Sequence, residues 1–333
     1  MAAIQREQRI LALDDAAQWR ARLTGAENTV AMVGGTFDIL QPGNWVALQE
    51  ARRHARHVCV VLESDELAAA HAGAGRPQHD VVTRAEFLSH LRGVSAITCL
   101  ACDQVNAFFR QMRPYLWVSC PARRGTDPLA EPAARYAQQT VDIPQVPACF
   151  TEEIHRAIGA GHTPVTVPSG LAVRDGNGAA DAVAVQGGAL VTVNGCFDIL
   201  HIGHLRFLEQ ARAMGDRLIV LINDDQSVRR YKGPTRPVFP LSFRAAALRG
   251  LESVDGVRAF AEDDPLNALR ELRPRVQVKG GSYEEARVRQ ERELVESWGG
   301  QLVCTPLVEG FSTSAYICKV LGPYLRRQVP SAP

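Results

Sequence analysis

Laid on itself with an offset of 160 residues, the chain repeats. Gly35, Phe37, Asp38, Ile39, Leu40 and Gly43 fall on Gly195, Phe197, Asp198, Ile199, Leu200 and Gly203. Further along, without a gap, Arg76-Pro77 falls on Arg236-Pro237, Arg84-Ala85 on Arg244-Ala245 and Arg113-Pro114 on Arg273-Pro274. A register held that long means that one supersecondary unit is built twice, so any fold proposed for the chain must be one that each copy can complete.

Within each copy, short apolar stretches rich in β-branched residues alternate with stretches of helical period. In the first copy the strands are expected at Thr29 to Val33, Val58 to Leu62, Ala96 to Leu100 and Leu116 to Ser119. Their partners in the second are Ala189 to Val193, Leu218 to Ile222, Gly256 to Phe260 and Val276 to Lys279. Strands separated by helices imply a parallel sheet with right-handed crossovers. The expected fold class is therefore α/β: two tandem Rossmann-like domains with parallel sheets, whose ligands bind outside the carboxyl ends of the strands. A helical leader is expected over 1–28, where Asp14, Asp15, Trp19 and Leu23 form an amphipathic segment, followed by a first domain over 29–158. A stretch over 159–188, rich in Gly, Ala, Val and Pro without helical period, reads as a linker, with Pro164 to Pro168 a candidate for an ordered part. A second domain follows over 189–324, then a frayed tail over 325–333.

Composition narrows the function classes. With 333 residues, 46% hydrophobic and 22% charged, the chain can bury two sizeable cores, and its net charge of +1 gives no argument for nucleic acid or an anionic membrane as a partner. No apolar run approaches the roughly 18 residues of a membrane span, and Arg6, Glu7 and Arg9 interrupt the apolar core that a signal peptide would need, so a cytoplasmic location is expected. Cys99 and Cys102 form the one C-x-x-C pair, with no second pair or histidine at zinc-site spacing, so buried free thiols and no protein metal site are expected.

Residues 194 to 204 read Asn-Gly-Cys-Phe-Asp-Ile-Leu-His-Ile-Gly-His. They carry two histidines where an apolar strand gives way to a helix, beginning near Leu205. Free N–H groups and the dipole at such a helix mouth favour anions, so His201 and His204 can share a polyphosphate with the main chain. The failed identities between the copies concentrate at polar positions of this kind. His201 faces Gln41, His204 faces Asn44, Lys232 faces Ala72 and Lys279 faces Ser119. After a one-residue shift, Ser312-Thr313-Ser314 faces Thr151-Glu152-Glu153. The first copy keeps the pattern of a fold but loses the cations that would hold a triphosphate.

The segment Gly195-Cys-Phe-Asp-Ile-Leu-His-Ile-Gly-His204 resembles the motif of the cytidylyltransferase-like nucleotidyltransferases. Lys232-Gly233-Pro-Thr-Arg236-Pro237-Val238, Arg244, Val278-Lys279-Gly280-Gly281-Ser-Tyr283 and Gly310-Phe-Ser-Thr-Ser314 follow in the family's order. Within the family the set is most similar to the adenylyltransferase branch that forms ADP-heptose from D-glycero-β-D-manno-heptose 1-phosphate. Glu262-Asp263-Asp264-Pro265 and the neighbourhood of Asp255 also look like that branch. The resemblance covers residues 189 to 322 closely and 30 to 157 weakly. It departs from the bifunctional heptose proteins in that the module follows a degraded copy of itself rather than a sugar kinase. Tandem copies with one degenerate also resemble ethanolamine-phosphate cytidylyltransferase, so CTP stays open beside ATP.

The resemblance implies transfer of a nucleotidyl group from ATP to a sugar 1-phosphate, heptose 1-phosphate above all, releasing pyrophosphate. The alternatives are a CTP-dependent enzyme acting on glycerol 3-phosphate or phosphoethanolamine, and a regulatory protein that binds nucleotide without turnover. His201 and His204 are assigned to phosphate charge in the transition state, and Lys232, in a Gly-Pro-flanked loop, to closure over the α- and β-phosphates. Gly195, Cys196, Phe197 and Gly203 belong to the nucleotide-binding motif. Ser312, Thr313 and Ser314, before a helical run, offer hydroxyls to phosphates or an ordinary cap. Lys279 and Gly280 end a strand at the ligand edge, where close approach to a nucleotide competes with a simple turn. Asp198 and Arg244 are candidate substrate contacts, but both persist in the degraded copy, as Asp38 and Arg84, so a role in ordering the fold competes for each. Magnesium is expected with the triphosphate, held by phosphate oxygens and water. The degraded copy suggests an internal pseudo-dimer, with a homo-oligomer the alternative.

Overall fold

The computed structural model describes residues 6–72, 76–120, 125–144, 151–161, 164–167, 188–281, 285–306, 310–318 and 320. The tail over 325–333, most of the linker and Ser282-Tyr283 of the family motif lie outside the described residues. The chain divides into two units, Met1–Thr151 and Glu152–Pro333.

Unit 1 runs α1 (Leu13–Arg22), β1 (Val30–Gly35), α2 (Pro42–His54), β2 (His57–Glu63), α3 (Asp65–Ala72), α4 (Val81–Ser89), β3 (Ala96–Leu100), α5 (Val105–Met112), β4 (Leu116–Ser119), α6 (Ala130–Tyr136) and β5 (Gln139–Asp142). The helix α7 (Thr151–Gly159) begins at the division and, from Glu152 on, belongs to unit 2, ahead of the sequence-based boundary at residue 158. Unit 2 continues with β6 (Leu190–Gly195), α8 (Ile202–Arg212), β7 (Arg217–Asn223), α9 (Asp225–Lys232), α10 (Leu241–Arg249), β8 (Gly256–Phe260), α11 (Leu266–Leu272), β9 (Val276–Gly280), α12 (Glu285–Glu296) and β10 (Gln301–Thr305). Residues 313–318 are helical.

Each unit holds one five-stranded sheet, ordered β3-β2-β1-β4-β5 and β10-β9-β6-β7-β8, and every pairing is parallel. Registers repeat as well: Val33 pairs with Val60 and Val118, and Val193 with Val220 and Val278. The inner strands are buried along nearly their whole length, as a parallel sheet covered on both faces requires. The α/β reading with two parallel sheets therefore holds. The fifth strand of each sheet was not expected from the sequence. β5 is exposed at three of its four residues and β10 alternates, so neither carries the continuous apolar run that marks the inner strands.

The leader is not one helix over 1–28. Leu11 donates its N–H to Ile97 O and Ile97 N–H donates to Arg9 O, so residues near Ile10 bridge to the outer strand β3 before α1 starts. Ala16 is fully buried, and Leu13, Trp19 and Leu23 pack on the unit 1 core. Within the expected linker, Val165 is buried and donates its N–H to Val238 O at 2.8 Å, which ties residues 164–167 into unit 2. The thiol expectation needs correction: Cys59 is buried, whereas Cys99 is half-buried and Cys102 exposed. No helix among the described residues is long and apolar enough to cross a membrane.

Candidate active site

The central strand β6 has β9 on one side and β7 on the other, so the chain's path reverses direction across the sheet beside its C-terminal end. A cavity of about 680 Å³ opens there, where parallel α/β sheets bind ligands. Its wall includes the end of β6 (Asn194, Gly195), the following loop with the start of α8 (Cys196 to Asp198, His201, Gly203, His204), and Lys232 and Arg236 after α9. The other side comprises Asp263 and Asp264 after β8, Lys279 and Gly280 at the end of β9, and Phe311 to Ser314. All the candidate residues read from the sequence therefore border one space, except Arg244.

His201 is the N-cap residue of α8, yet its side chain makes no capping hydrogen bond, so the ring is not spent on closing the helix. The His201 and His204 rings stack with centroids 3.8 Å apart and planes 22° apart. Burial, and then the neighbouring His201, push the His204 ring well below its ordinary value, so it is neutral at pH 7. Its buried Nδ1 has no hydrogen-bond partner among the described residues. Buried polar atoms ordinarily have partners, so this unpaired nitrogen beside the cavity is an exception. Gly203 permits this packing: a Cβ there would stand 3.1 Å from both the His201 Nδ1 and the Phe311 Cβ. Gly280 is also tightly enclosed, since a Cβ would meet the Phe207 ring at 3.1 Å.

Lys232 ends α9, exposed, with its Nζ 4.7 Å from the Tyr231 ring centroid, and Gly233 at φ 98° turns the chain away. An ammonium on so mobile a stem can reach across the cavity mouth. Ser312 Oγ accepts from Ala315 N–H at 3.3 Å, while Thr313 Oγ1 donates to Ile199 O at 3.1 Å, fastening that turn to the histidine loop. Burial raises the Cys196 thiol, opposed by Lys232, Arg244 and Arg236, so it lines the cavity as a protonated, neutral group.

Lys279 borders the cavity, but its charge is paired inside the protein. It is 7% exposed and its Nζ lies 2.7 and 3.0 Å from the Glu291 carboxylate oxygens and 2.9 Å from Asn194 Oδ1. Gln277 adds Nε2 contacts to Asn194 and Glu291 and receives Thr192 Oγ1 on its own Oε1. This buried polar network forms the cavity floor, with the lysine's charge balanced inside the protein.

Asp198 and Arg244 are scaffold in this geometry. The Asp198 carboxylate accepts from Val238 N–H, Phe239 N–H and Arg236 Nε, which fixes the loop after Lys232. Arg244, 1% exposed, donates to the carbonyls of Cys196, Asn223 and Phe239 and to the Asp225 carboxylate, and it does not border the cavity. The substrate-contact reading of Arg244 therefore gives way to an internal clasp. Phe197 lies in the left-handed region at φ 43°, but Phe37 does the same at φ 50°, so that strain belongs to the shared loop and not to chemistry.

Sequence reasoning missed Asn194, Asn223, Arg230, Glu291 and Phe311 on the cavity wall. The repeat could have flagged two of them, because Asn194 faces Gly34 and Arg230 faces Ala70. Glu291 faces Glu131 and gave no such signal.

Residues 192–319 match the family model described as cytidylyltransferase-like. The bifunctional protein HldE of Pseudomonas fluorescens (strain Pf0-1) is 53% identical over 131 residues, which are 39% of this chain and 27% of that protein. HldE of Coxiella burnetii (strain RSA 493 / Nine Mile phase I) is 47% identical over 142 residues, 43% of this chain and 30% of that protein. The chain thus matches about a third or less of the length of these curated relatives. Among solved structures, the lipopolysaccharide core biosynthesis protein from Thermoplasma volcanium GSS1 aligns at 26% identity over 37% of this chain and 98% of its own, with a TM-score of 0.32. From within β6 to the helical run over 313–318, the second repeat is thus similar to the cytidylyltransferase-like family and to part of the HldE proteins.

Proposed function

We propose that unit 2 is a nucleotidyltransferase that joins ATP and a sugar 1-phosphate, favouring a heptose 1-phosphate, to give an ADP-sugar and pyrophosphate. The observation that carries this reading is the stacked His201 and His204 pair at the mouth of α8, in one cavity with Lys232 and the Ser312 to Ser314 hydroxyls. An acceptor phosphate oxygen attacks the α-phosphorus, a new O–P bond forms, and the bond between the α-phosphorus and the bridging oxygen breaks, with pyrophosphate leaving on the opposite side. Such a reaction asks the protein mainly to position its reactants and to meet developing charge. The neutral His204 ring brings one N–H donor that adds no charge beside His201, and Lys232 brings the mobile positive charge. The likeness to HldE proteins and to the ADP-heptose branch favours ATP and heptose phosphate over the other pairs.

Magnesium fits as the triphosphate's companion, neutralising its charge. Among the described residues no group of three or more His, Cys, Asp or Glu side chains is disposed to hold a metal ion. The Asp198 carboxylate is already engaged by Arg236 and two backbone N–H groups. Of the other cavity carboxylates, Asp263 is paired with Arg230 and Asp264 accepts from Leu266 N–H through one oxygen, which leaves Asp264 the freer of the two for contact through water.

The test is pyrophosphate release by the full chain with magnesium, supplying ATP or CTP with heptose 1-phosphate, glycerol 3-phosphate or phosphoethanolamine. Turnover with ATP and the heptose phosphate is expected, falling on the order of a hundredfold or more in His204→Ala. Turnover with CTP alone would replace the nucleotide and acceptor, and nucleotide binding without release would leave a regulatory protein.

A further inference from the structure

We infer that His155 is a positioning residue for the phosphate-binding turn of unit 2, acting through Tyr316. The inference rests on the nucleotide reading of the cavity proposed above.

His155 lies on α7, in the part that belongs to unit 2. Its Nε2 shares a hydrogen bond with the Tyr316 hydroxyl at 2.9 Å, and the two rings meet edge to face with centroids 5.9 Å apart. Tyr316 is 8% exposed, and a buried phenol needs a partner for its hydroxyl. Its own N–H donates to Ser312 O at 2.9 Å, which closes the turn that carries the Ser312, Thr313 and Ser314 hydroxyls into the cavity wall. That turn is therefore held at two points. Thr313 ties it to Ile199 in the histidine loop, and Tyr316 ties it to His155. Ser312 and Ser314 are themselves exposed, so the two anchors decide where the hydroxyls point. A misplacement well under the length of a hydrogen bond is enough to weaken a phosphate contact.

The experiment measures KM for the nucleotide and kcat in the full chain for wild type, His155→Ala, His155→Gln, Tyr316→Phe and the double variant His155→Ala/Tyr316→Phe. Loss of one buried hydrogen bond at the phosphate turn corresponds to about a tenfold rise in KM, with kcat within about threefold of wild type. Glutamine, which can reach the hydroxyl, should restore most of the loss. The double variant should be no worse than His155→Ala alone, because both substitutions remove the same bond. A role confined to stability would lower the melting temperature and leave KM of the folded enzyme unchanged, and that result overturns the inference. Should His155→Ala fail to fold, Tyr316→Phe removes only the hydroxyl and reads the same KM. If wild type neither binds nor turns over any nucleotide, the nucleotide reading falls and this inference with it; a normal wild type beside an unaltered Tyr316→Phe overturns the inference alone.

Discussion

The two sheets share a skeleton and differ in what lies at its centre. Arg84 and Arg244 make the same four contacts: to Thr36 and Cys196 carbonyls at 2.6 Å, to Glu63 and Asn223 carbonyls at 2.9 Å, to His79 and Phe239 carbonyls at 3.1 and 3.0 Å, and to the Asp65 and Asp225 carboxylates at 2.7 Å. Asp38 and Asp198 hold corresponding backbone N–H groups, and Arg76-Pro77 and Arg236-Pro237 are both cis. The floors have diverged. Where unit 2 has Thr192, Asn194, Gln277 and Lys279 in a buried polar network, unit 1 has Met32, Gly34, Trp117 and Ser119. The Trp117 ring lies so close to Gly34 that a Cβ there would be 2.5 Å from it. The cavity bordered by Gly34, Gln41, Gly43 and Asn44 shrinks to about 30 Å³, against about 680 Å³ for its counterpart. Gln41, in the place of His201, now accepts a hydrogen bond from Thr151, in the place of Ser312. The residues that order the module are thus common to both copies, while the lining at the ligand edge of the sheet differs between them.

If the arginine clasp is scaffold in both modules, Arg84→Ala and Arg244→Ala should be equally damaging. Each leaves three backbone carbonyls and a carboxylate without their donor, a loss of about 3–5 kcal/mol in the module concerned. Hydrogen exchange resolved by peptide would localise the damage to β1 and β2 for the first variant and to β6 and β7 for the second. A large loss from Arg244→Ala beside a negligible one from Arg84→Ala would break the equivalence and return Arg244 to the list of functional candidates.

The same comparison explains how far the sequence could be read. Eight strands, among them all six inner ones, the ligand edge of the sheet and the histidine pair followed from apolar runs and from the positions at which the two copies disagree. The internal pairing of Lys279 was not legible, because it depends on Glu291 one helix away, which the first copy retains as Glu131. Asp198 and Arg244 stayed ambiguous because retention in the first copy counts for structure only once their partners are seen. The outer strands β5 and β10 were not legible, since a polar or alternating strand at a sheet's edge is ordered by its neighbour and not by its own apolar pattern.

A smaller effect is expected where the floors differ. Gly34→Asn introduces into unit 1 the residue that unit 2 carries at Asn194, but the site is already filled by Trp117 and by Leu129, whose Cδ1 would be 2.7 Å from the new Cβ. Overpacking of this kind costs about 1–3 kcal/mol. Denaturant unfolding followed by tryptophan fluorescence reports on it, since Trp117 is within the perturbed core. Unchanged stability would mean that the ring can swing aside, and that the first cavity is closed by a movable plug and not by a packed core.

The smallest effect separates the modules by pH. His204 is buried and held neutral, first by its burial and second by His201, so its pKa in the folded chain lies well below the ordinary 6.5. Above pH 6.5 both folded and unfolded chains carry the neutral ring and the site contributes no pH dependence. As pH falls below 6.5 the unfolded chain takes up the proton first, so the stability of unit 2 declines with a slope from this site of at most about 1.4 kcal/mol per pH unit. Asn44 occupies the same place in unit 1 and cannot titrate, so that module lacks this contribution. Replacing the ring by the first module's residue, in His204→Asn, should flatten the decline of β6 and α8 protection between pH 7 and pH 5.5 in hydrogen exchange while leaving β1 and α2 unchanged. An equal decline in wild type and variant would show that the folded chain takes up the proton as readily as the unfolded one, and that burial does not hold the His204 ring neutral.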